Sequence, residues 1–544
     1  MRTGPACGTL GAVTTTTAAP PTLEGPPAPP PVHRTLCEAF QATVAAYPDR
    51  VAVRTPGDRV RITWGEYGAR VRRLAGALAA LGVGRGDAVG LLLGSRPEAA
   101  LVDAAAIHLG AVCVSLYAAA PVATHAYVLT DTEARVLVTE TAFAHEVPAL
   151  RRACPLLEQV LSVDGDGAGT VPLDAVDPAA DFHFDAHWRA VSPEDPAALL
   201  YTSGTTGAPK GVVHTHGTSV AIMPVLEAGL PPTQDPVTRV AFIPFGHAGE
   251  RYAGHYRGMC CGATATYCAD PARLPEVLRE ARPTFLLGPP GMWEQLAGVG
   301  SAVEAGLDRL TQAVVTGAPP GVPLLERLHA LGVPLVELYA LSEALCTMTR
   351  PGAADIGTSG VPLPGTTVRL APDGEVLVRS VTATRGYYRR PAQTAALIDA
   401  DGWLHTGDVG EIDEEARLRV LGRRDERMIN ALGHNIDPGP IETAVKAECP
   451  LIAQVCAIGD LRPYVVALVT LEGPADDPAA LGAVDQAIRR ANRKLTGPAR
   501  IRRHLVLPDA WRPGGDELTP TMKLRRSAIH ARYATQIAAL YDNG

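Results

Sequence analysis

Aromatic residues are scarce in this chain, at 5% of 544 residues, and charged residues make up only 19%. Basic residues are not in excess: 49 Lys and Arg face 57 Asp and Glu, for a net charge of −8. That balance gives no reason to expect a nucleic-acid partner, which usually calls for a basic face. No Cys-x-x-Cys pair occurs among the ten cysteines, and Cys260 and Cys261 are adjacent. A disulfide scaffold is therefore not expected, and reduced thiols in a cytoplasmic setting fit better. No run of about 18 apolar residues is free of breakers, so no integral membrane segment is expected. The richest stretch, Ala99 to Ala120, carries Asp103, His108 and Gly110 and reads as a buried helix feeding a strand.

What is present suits a large globular protein, with 47% apolar residues and more length than one ordinary domain needs. Residues 1–33 are rich in Thr, Ala, Pro and Gly and are expected to be a disordered tail. From residue 34 the chain alternates between helical and strand patterns. Thr63 and Glu66 form a capping box ahead of Val71, Leu74 and Leu78 at helical spacing. Strands are expected at 87–93, 133–139, 159–163, 241–243, 284–287 and 312–315, with a helix at 274–281. Pro372-Asp-Gly374 should turn a hairpin between 367–370 and 375–379 in a smaller β subdomain. The charged segment Gly422-Arg-Arg-Asp-Glu-Arg427 has the character of a hinge, centred on Asp425. Beyond it, helices from about 440 and at 478–494, with strands at 454–458 and 464–471, make a second unit. The fold class is α/β: an N-terminal domain of stacked α/β layers plus a β subdomain over 34–424, and a small mobile α+β lid over 425–544.

The densest chemistry lies in Tyr201-Thr-Ser-Gly-Thr-Thr-Gly-Ala-Pro-Lys-Gly211. Glycines admit close approach of backbone N–H groups to anionic oxygens. Thr202, Ser203, Thr205 and Thr206 add hydroxyls around Gly204 and Gly207, and Lys210 adds a positive charge. The apolar run 197–200 places this loop at a strand end, where open α/β sheets bind ligands. The spacing is not that of the P-loop NTPases, because Gly204 and Gly207 are three apart and Lys210 precedes glycine. Glu343, after Tyr339-Ala-Leu-Ser342, could serve a magnesium ion that also takes phosphate oxygens, and Tyr339 could stack on a base. Asp408, after the Gly407 turn, could accept ribose hydroxyls. Arg423 could neutralise phosphate or hold ribose, Lys523 could enter a site from a terminal loop, and His247 could line a substrate pocket. Arg525 and Arg526 read as surface charges.

In this order, 202–211, Tyr339-Ala-Leu-Ser-Glu343, Gly402-Trp-Leu-His-Thr-Gly-Asp408, Gly422-Arg-Arg-Asp425, Gly433-His-Asn-Ile-Asp-Pro438 and Thr519-Pro-Thr-Met-Lys523, these segments resemble the AMP-forming acyl-CoA synthetase and adenylate-forming enzyme superfamily. The forms of the last two, and Ile243-Pro-Phe-Gly-His-Ala-Gly-Glu-Arg251, are similar to the long-chain fatty-acid branch. That resemblance implies an acid ligase using ATP, Mg²⁺ and CoA. Thr202–Gly207, Lys210, Tyr339, Ser342, Asp408 and Arg423 would hold the nucleotide. Lys523, Thr206 and Glu343 would act in adenylation, Glu343 as the metal ligand. Gly433 and His434 would guide CoA after rotation about Asp425. The acid would lie against His247, Gly317, Ala318 and Leu341. A medium- or long-chain fatty acid is the expected substrate. Loading of an acyl carrier protein or an aryl-CoA ligase activity are the alternatives, and the oligomeric state is left open.

Overall fold

The computed structural model describes residues 21–167, 169–202, 208–519 and 522–542. Its first layer is an eight-stranded sheet. Gln159–Ser162, Val136–Thr139, Ala88–Leu92, Val112–Ser115 and Pro196–Thr202 run parallel, and Lys210–Thr215 turns back antiparallel against Pro196–Thr202. A nine-stranded sheet carries a second parallel run: Val51–Arg54, Thr264–Tyr267, Thr238–Ala241, Phe285–Gly288, Gln312–Thr316 and Leu335–Ala340.

Helices Leu36–Ala46, Trp64–Ala80, Pro97–Ile107 and His216–Gly229 lie between the two sheets. Their buried residues share one core with Val89, Leu91 and Val138 of the first sheet and Ala52, Ala241 and Tyr267 of the second. The outer faces are covered by Val122–Asp131 and Val147–Ala153 on one side, and by Leu274–Ala281, Pro290–Ala297 and Val322–Ala330 on the other. Five alternating α and β layers result, as strands apolar on both faces require. Pro97–Ile107 sits in the middle layer with every residue buried except Glu98, which is why, Asp103 apart, the buried positions are apolar on all sides.

Local signals translate directly. Thr63 and Glu66 form the reciprocal capping box. Helices span Leu274–Ala281 and Pro478–Lys494 as expected. The Pro372–Gly374 turn joins Thr366–Leu370 to Glu375–Ser380 as an antiparallel hairpin. The strand expected at 241–243 instead spans Thr238–Ala241. Glu133, at φ 53°, belongs to the turn before Val136–Thr139.

From residue 21 on the tail assignment needs correction; residues 1–20 lie outside the described residues. Thr22–Glu24 is a strand, paired antiparallel with Thr367–Arg369 at the edge of a five-stranded sheet. Leu23 is buried against Val368, Val376 and Leu418, and the Gly365 N–H donates to Pro26 O at 2.7 Å. Composition argued for disorder because this segment holds little apolar surface. A strand added to an existing edge needs little, since the edge supplies its hydrogen-bond partners.

Two further cores, with no residue before Met428, cover the faces of a three-stranded sheet, Ile452–Ile458, Val465–Leu471 and Ile501–Val506. Helices Pro438–Lys446 and Pro478–Lys494 pack on one face, and Arg526–Arg532 and Ala534–Asp542 on the other. Arg526 is not a surface charge. It bonds Glu442 through both terminal nitrogens at 2.7 and 2.8 Å and reaches Glu426 at 3.0 Å, tying the terminal helix to the segment beside Asp425.

Candidate active site

Four parallel strands of the nine-stranded sheet end at one edge, and three of them hand the chain to a segment singled out in the sequence. Ala241 leads to His247, Gly288 to Pro289, Thr316 to Gly317 and Ala318, and Ala340 to Leu341, Ser342 and Glu343. Thr202 ends a parallel strand of the other sheet and pairs with Lys210. Ser203, Gly204, Thr205, Thr206 and Gly207 lie outside the described residues.

The phenol of Tyr339 donates to Asp408 Oδ2 at 2.7 Å. Arg423 Nη1 donates to Asp408 Oδ1 at 3.1 Å and to Thr406 O at 2.8 Å. Asp408 and Arg423 face each other because Leu404–Ile412 and Leu418–Arg423 pair in that register. Gly407 makes the approach possible. Its φ is +69°, and a Cβ there would stand 2.8 Å from Arg423 Nη2. Burial raises the Asp408 carboxyl above its ordinary value, against the pull of Arg423, the Tyr339 phenol and Lys523.

Glu343 is held from two sides. Tyr387 donates its phenol to Oε1 at 2.9 Å, and the Thr384 N–H donates to the Glu343 carbonyl at 2.7 Å. Lys210 Nζ lies 4.9 Å from the centre of the same Tyr387 ring, so one tyrosine bridges the lysine after the glycine-rich loop and the carboxylate. Ser342 contributes its carbonyl to His214 Nε2 at 2.8 Å. Next to Thr202, the Tyr201 phenol donates to Asp131 at 2.6 Å, and Arg390 pairs with the same carboxylate. Gly211 packs beneath the Tyr201 ring, where a Cβ would come within 2.9 Å of it.

His247 accepts the Gly249 N–H on Nδ1 at 3.0 Å. Burial, with the Lys523 ammonium as second cause, lowers its pKa to about 4, so the ring is neutral at pH 7. The Lys523 ammonium is therefore among the charges that act on both His247 and Asp408. Its loop is fastened by Lys523 N–H to Thr519 Oγ1 at 3.0 Å and Thr519 N–H to Lys523 O at 2.8 Å. Gly317, at φ +91°, and Ala318 are exposed at the strand end, and Leu341 is half-buried with its N–H on Ala344 O.

Gly433 and His434 are not part of this gathering. They sit exposed in the turn between Met428–Ile429 and Asn435–Ile436, with their N–H groups on Asn430. Asp425 lies in the short turn after Arg423 and pairs with it at 3.5 Å.

Tyr387, Tyr201 and Asp131 escaped the sequence reading as site residues. Gly386-Tyr-Tyr-Arg-Arg-Pro391 was the available signal, because two adjacent tyrosines stand out in a chain so poor in aromatics. A second network also escaped it. Under the His247 segment, Arg251 pairs with Asp103 of the middle-layer helix and donates to Ser115 Oγ at 2.7 Å, while His255 lies 3.1 Å from Asp103 Oδ2. Glu250 meets Arg239 at 2.8 Å. The Glu-Arg pair of 243–251 thus anchors the segment that presents His247.

Layering and site together define an adenylate-forming fold. The solved structure of the anthranilate CoA ligase AuaEII in complex with anthranoyl-AMP superposes with a TM-score of 0.80 at 21% identity, over 94% of this chain and 99% of that one. The chain belongs to the AMP-binding enzyme family: the family domain matches residues 40–388, and the AMP-binding enzyme C-terminal domain matches 425–544. Among relatives, the protein of Mycobacterium tuberculosis provisionally named fatty-acid–CoA ligase fadD11 is 35% identical, over 69% of this chain and 79% of its own length. The long-chain-fatty-acid–CoA ligase FadD15 of Mycobacterium bovis is 30% identical over 88% of this chain and 92% of its own.

Proposed function

We propose that the protein activates a medium- or long-chain fatty acid with ATP, forming acyl-AMP and pyrophosphate, and then transfers the acyl group to CoA with release of AMP. The observation that carries the reading is the convergence of Tyr339, Asp408 and Arg423 with Lys523 and His247. Asp408 has the geometry to accept ribose hydroxyls, with Arg423 and Tyr339 fixing its carboxylate. Tyr339 offers a ring face to the adenine. Thr202–Gly207 and Lys210 receive the phosphates, with Thr206 among the adenylation groups, and Ser342 lines the nucleotide side.

The substrate carboxylate attacks the α-phosphate, and the bond to pyrophosphate breaks. Lys523 supplies positive charge where negative charge crowds in that transition state, a role in which fixed electrostatics are most effective. The acid lies against neutral His247, Leu341, Gly317 and Ala318, a lining that carries no charge to oppose an alkyl chain. Glu343 fits a Mg²⁺ ion, since it enters no ion pair among the described residues. No cluster of three metal-binding side chains occurs among those residues, which suits an ion that takes its other ligands from phosphate and water. Bound there, the ion would neutralise phosphate charge.

For the second step the unit over 425–544 turns about Asp425, withdrawing Lys523 and bringing Gly433 and His434 to the site for the CoA thiol. Their exposure supports this, because a surface loop is free to dock elsewhere. The boundary at 424/425 is supported by the separate cores that begin at Met428. No helix among the described residues is long and apolar enough to cross a membrane, and we place the enzyme in the cytoplasm.

The test is AMP release with ATP, Mg²⁺ and a panel of acids from acetate to palmitate plus benzoates, with and without CoA. CoA-dependent release with an aliphatic acid is expected. Pyrophosphate exchange without CoA turnover would move the acceptor to an acyl carrier protein, and a benzoate preference would make it an aryl-CoA ligase.

A further inference from the structure

Residues 486–503 hold seven of the chain's 49 Lys and Arg and none of its 57 Asp and Glu, although the whole chain carries −8. The fold gathers them. Arg489 and Arg493 are one turn apart on the outer face of Pro478–Lys494, opposite buried Val484, Ala487, Ile488 and Ala491. The Asn492 amide clamps the end of this helix to the next strand, donating to Ile501 O at 2.8 Å and accepting the Ile501 N–H at 2.9 Å. That clamp sets exposed Arg500 and Arg502 beside the helix end, on either side of buried Ile501.

The neighbouring charges do not cancel this face. Glu448 is taken by Arg490 at 2.7 Å and Lys494 at 2.6 Å; Asp485 faces His504 at 3.1 Å, a ring that burial holds below its ordinary pKa, so Asp485 keeps its own charge against the four arginines. Arg503 turns toward Leu540 O. Among the described residues Arg500 spends only its Nε, on Leu495 O at 3.2 Å.

We infer that the face formed by Arg489, Arg493, Arg500 and Arg502 docks the protein on an anionic lipid surface. A protein partner is disfavoured by what the face lacks. None of the exposed large apolar side chains falls between 486 and 503, whereas the centre of a protein interface is apolar and depleted in charge. A headgroup layer asks only for positive charge, and each basic side chain near it strengthens binding roughly fivefold. The net charge of the rest of the chain is screened beyond about 10 Å at ordinary salt, so the local patch decides. Such docking is reversible and needs no inserted helix. It does not depend on which acid the enzyme activates.

The experiment is cosedimentation of the full chain with vesicles of phosphatidylcholine alone and of phosphatidylcholine with phosphatidylglycerol, at low and high salt. Binding only to the anionic vesicles, released by high salt, is expected. The R489E/R493E/R500E/R502E variant should lose at least about 50-fold of the partition coefficient, while the four-lysine variant at these positions keeps it. Reversal of Arg59, Arg61, Arg70 and Arg309, exposed elsewhere, should leave binding intact, and melting curves of all variants check folding. Equal binding to neutral vesicles, equal loss in the control reversal, or binding to soluble polyglutamate but to no vesicle would overturn the inference.

Discussion

Tyr339 and Asp408 come from different sheets and meet at 2.7 Å, phenol to carboxylate. This contact locks the β subdomain onto the strand-end edge where the nucleotide would be received, so the residue that would hold ribose and the one that would face adenine are positioned by each other. Tyr339→Phe keeps the ring and deletes the bond. A hydrogen bond to a charged group contributes about 1.5–3 kcal/mol, so the KM for ATP should rise about tenfold or more, with a smaller change in the KM for the acid. Steady-state kinetics against each substrate separate the two. Equal effects on both would remove the nucleotide assignment.

Tyr387 should act through Glu343. Tyr387→Phe should raise the Mg²⁺ concentration needed for half-maximal pyrophosphate exchange, while Glu343→Gln should largely abolish exchange. Adding Tyr387→Phe to Glu343→Gln should cost nothing further, because the phenol would then have no carboxylate to orient. An independent loss in the double variant would show that Tyr387 acts elsewhere.

The Asp103–Arg251 pair is fully buried. Asp103→Ala strands the guanidinium and should cost about 3–5 kcal/mol of stability, read by urea denaturation. Asp103→Leu with Arg251→Met removes both charges and should recover most of that loss. If the double variant is no more stable than Asp103→Ala, the penalty arises from packing instead.

Two opposing pH effects are built into the fold. Burial lowers the pKa of His108 and His214 to about 4 and of His216 to about 3, from 6.5. Between these values the unfolded chain binds protons that the folded chain does not. The stability they confer is complete above pH 6.5 and drains away as pH falls, by up to about 1.4 kcal/mol per unit for each ring. Glu337 runs the other way. Burial raises its carboxyl to about 8 from 4.5, against a hydrogen bond with Ser359, so its contribution is full below pH 4.5 and lost as pH rises toward 8. Glu337→Gln should therefore raise the melting temperature at pH 8.5 relative to the parent and leave it little changed at pH 4. The same shift at both pH values would contradict the buried, proton-holding carboxyl.

Much of this was legible in the sequence because it is local. The Thr63–Glu66 box, the helix at 274–281 and the turn at 372–374 depend on residues a few positions apart. The Gly407-Asp408 step was legible as a motif, although its physical reason, the approach of Arg423, appears only in the folded sheet. What escaped is long-range. Asp103 and Arg251 are 148 positions apart, and neither signals the other: Asp103 reads as a break in an apolar stretch and Arg251 as the end of the 243–251 segment. Glu343 finds Tyr387 44 residues on. The Thr22–Glu24 strand was hidden because composition measures what a segment can bury by itself, not what edge it can join. Arg526 was misread for the same reason: its partners, Glu426 and Glu442, are far away in sequence.

Lys523→Ala should divide the two half-reactions. Adenylate formation should fall at least about 100-fold, the scale of losing one transition-state charge donor. Thioester formation from supplied acyl-AMP and CoA should stay within a few-fold, because the proposed rotation would have taken Lys523 out of the site by then. Comparable losses in both would remove that division of labour.

The central claim is that acid activation proceeds through an adenylate and ends on a thiol. Single-turnover quenching with enzyme in excess over radiolabelled palmitate, ATP and Mg²⁺ measures it most directly. Palmitoyl-AMP and pyrophosphate should accumulate first, and adding CoA should convert the adenylate to palmitoyl-CoA with one AMP released. Formation of ADP and phosphate, or a thioester appearing without a prior adenylate, would contradict the account.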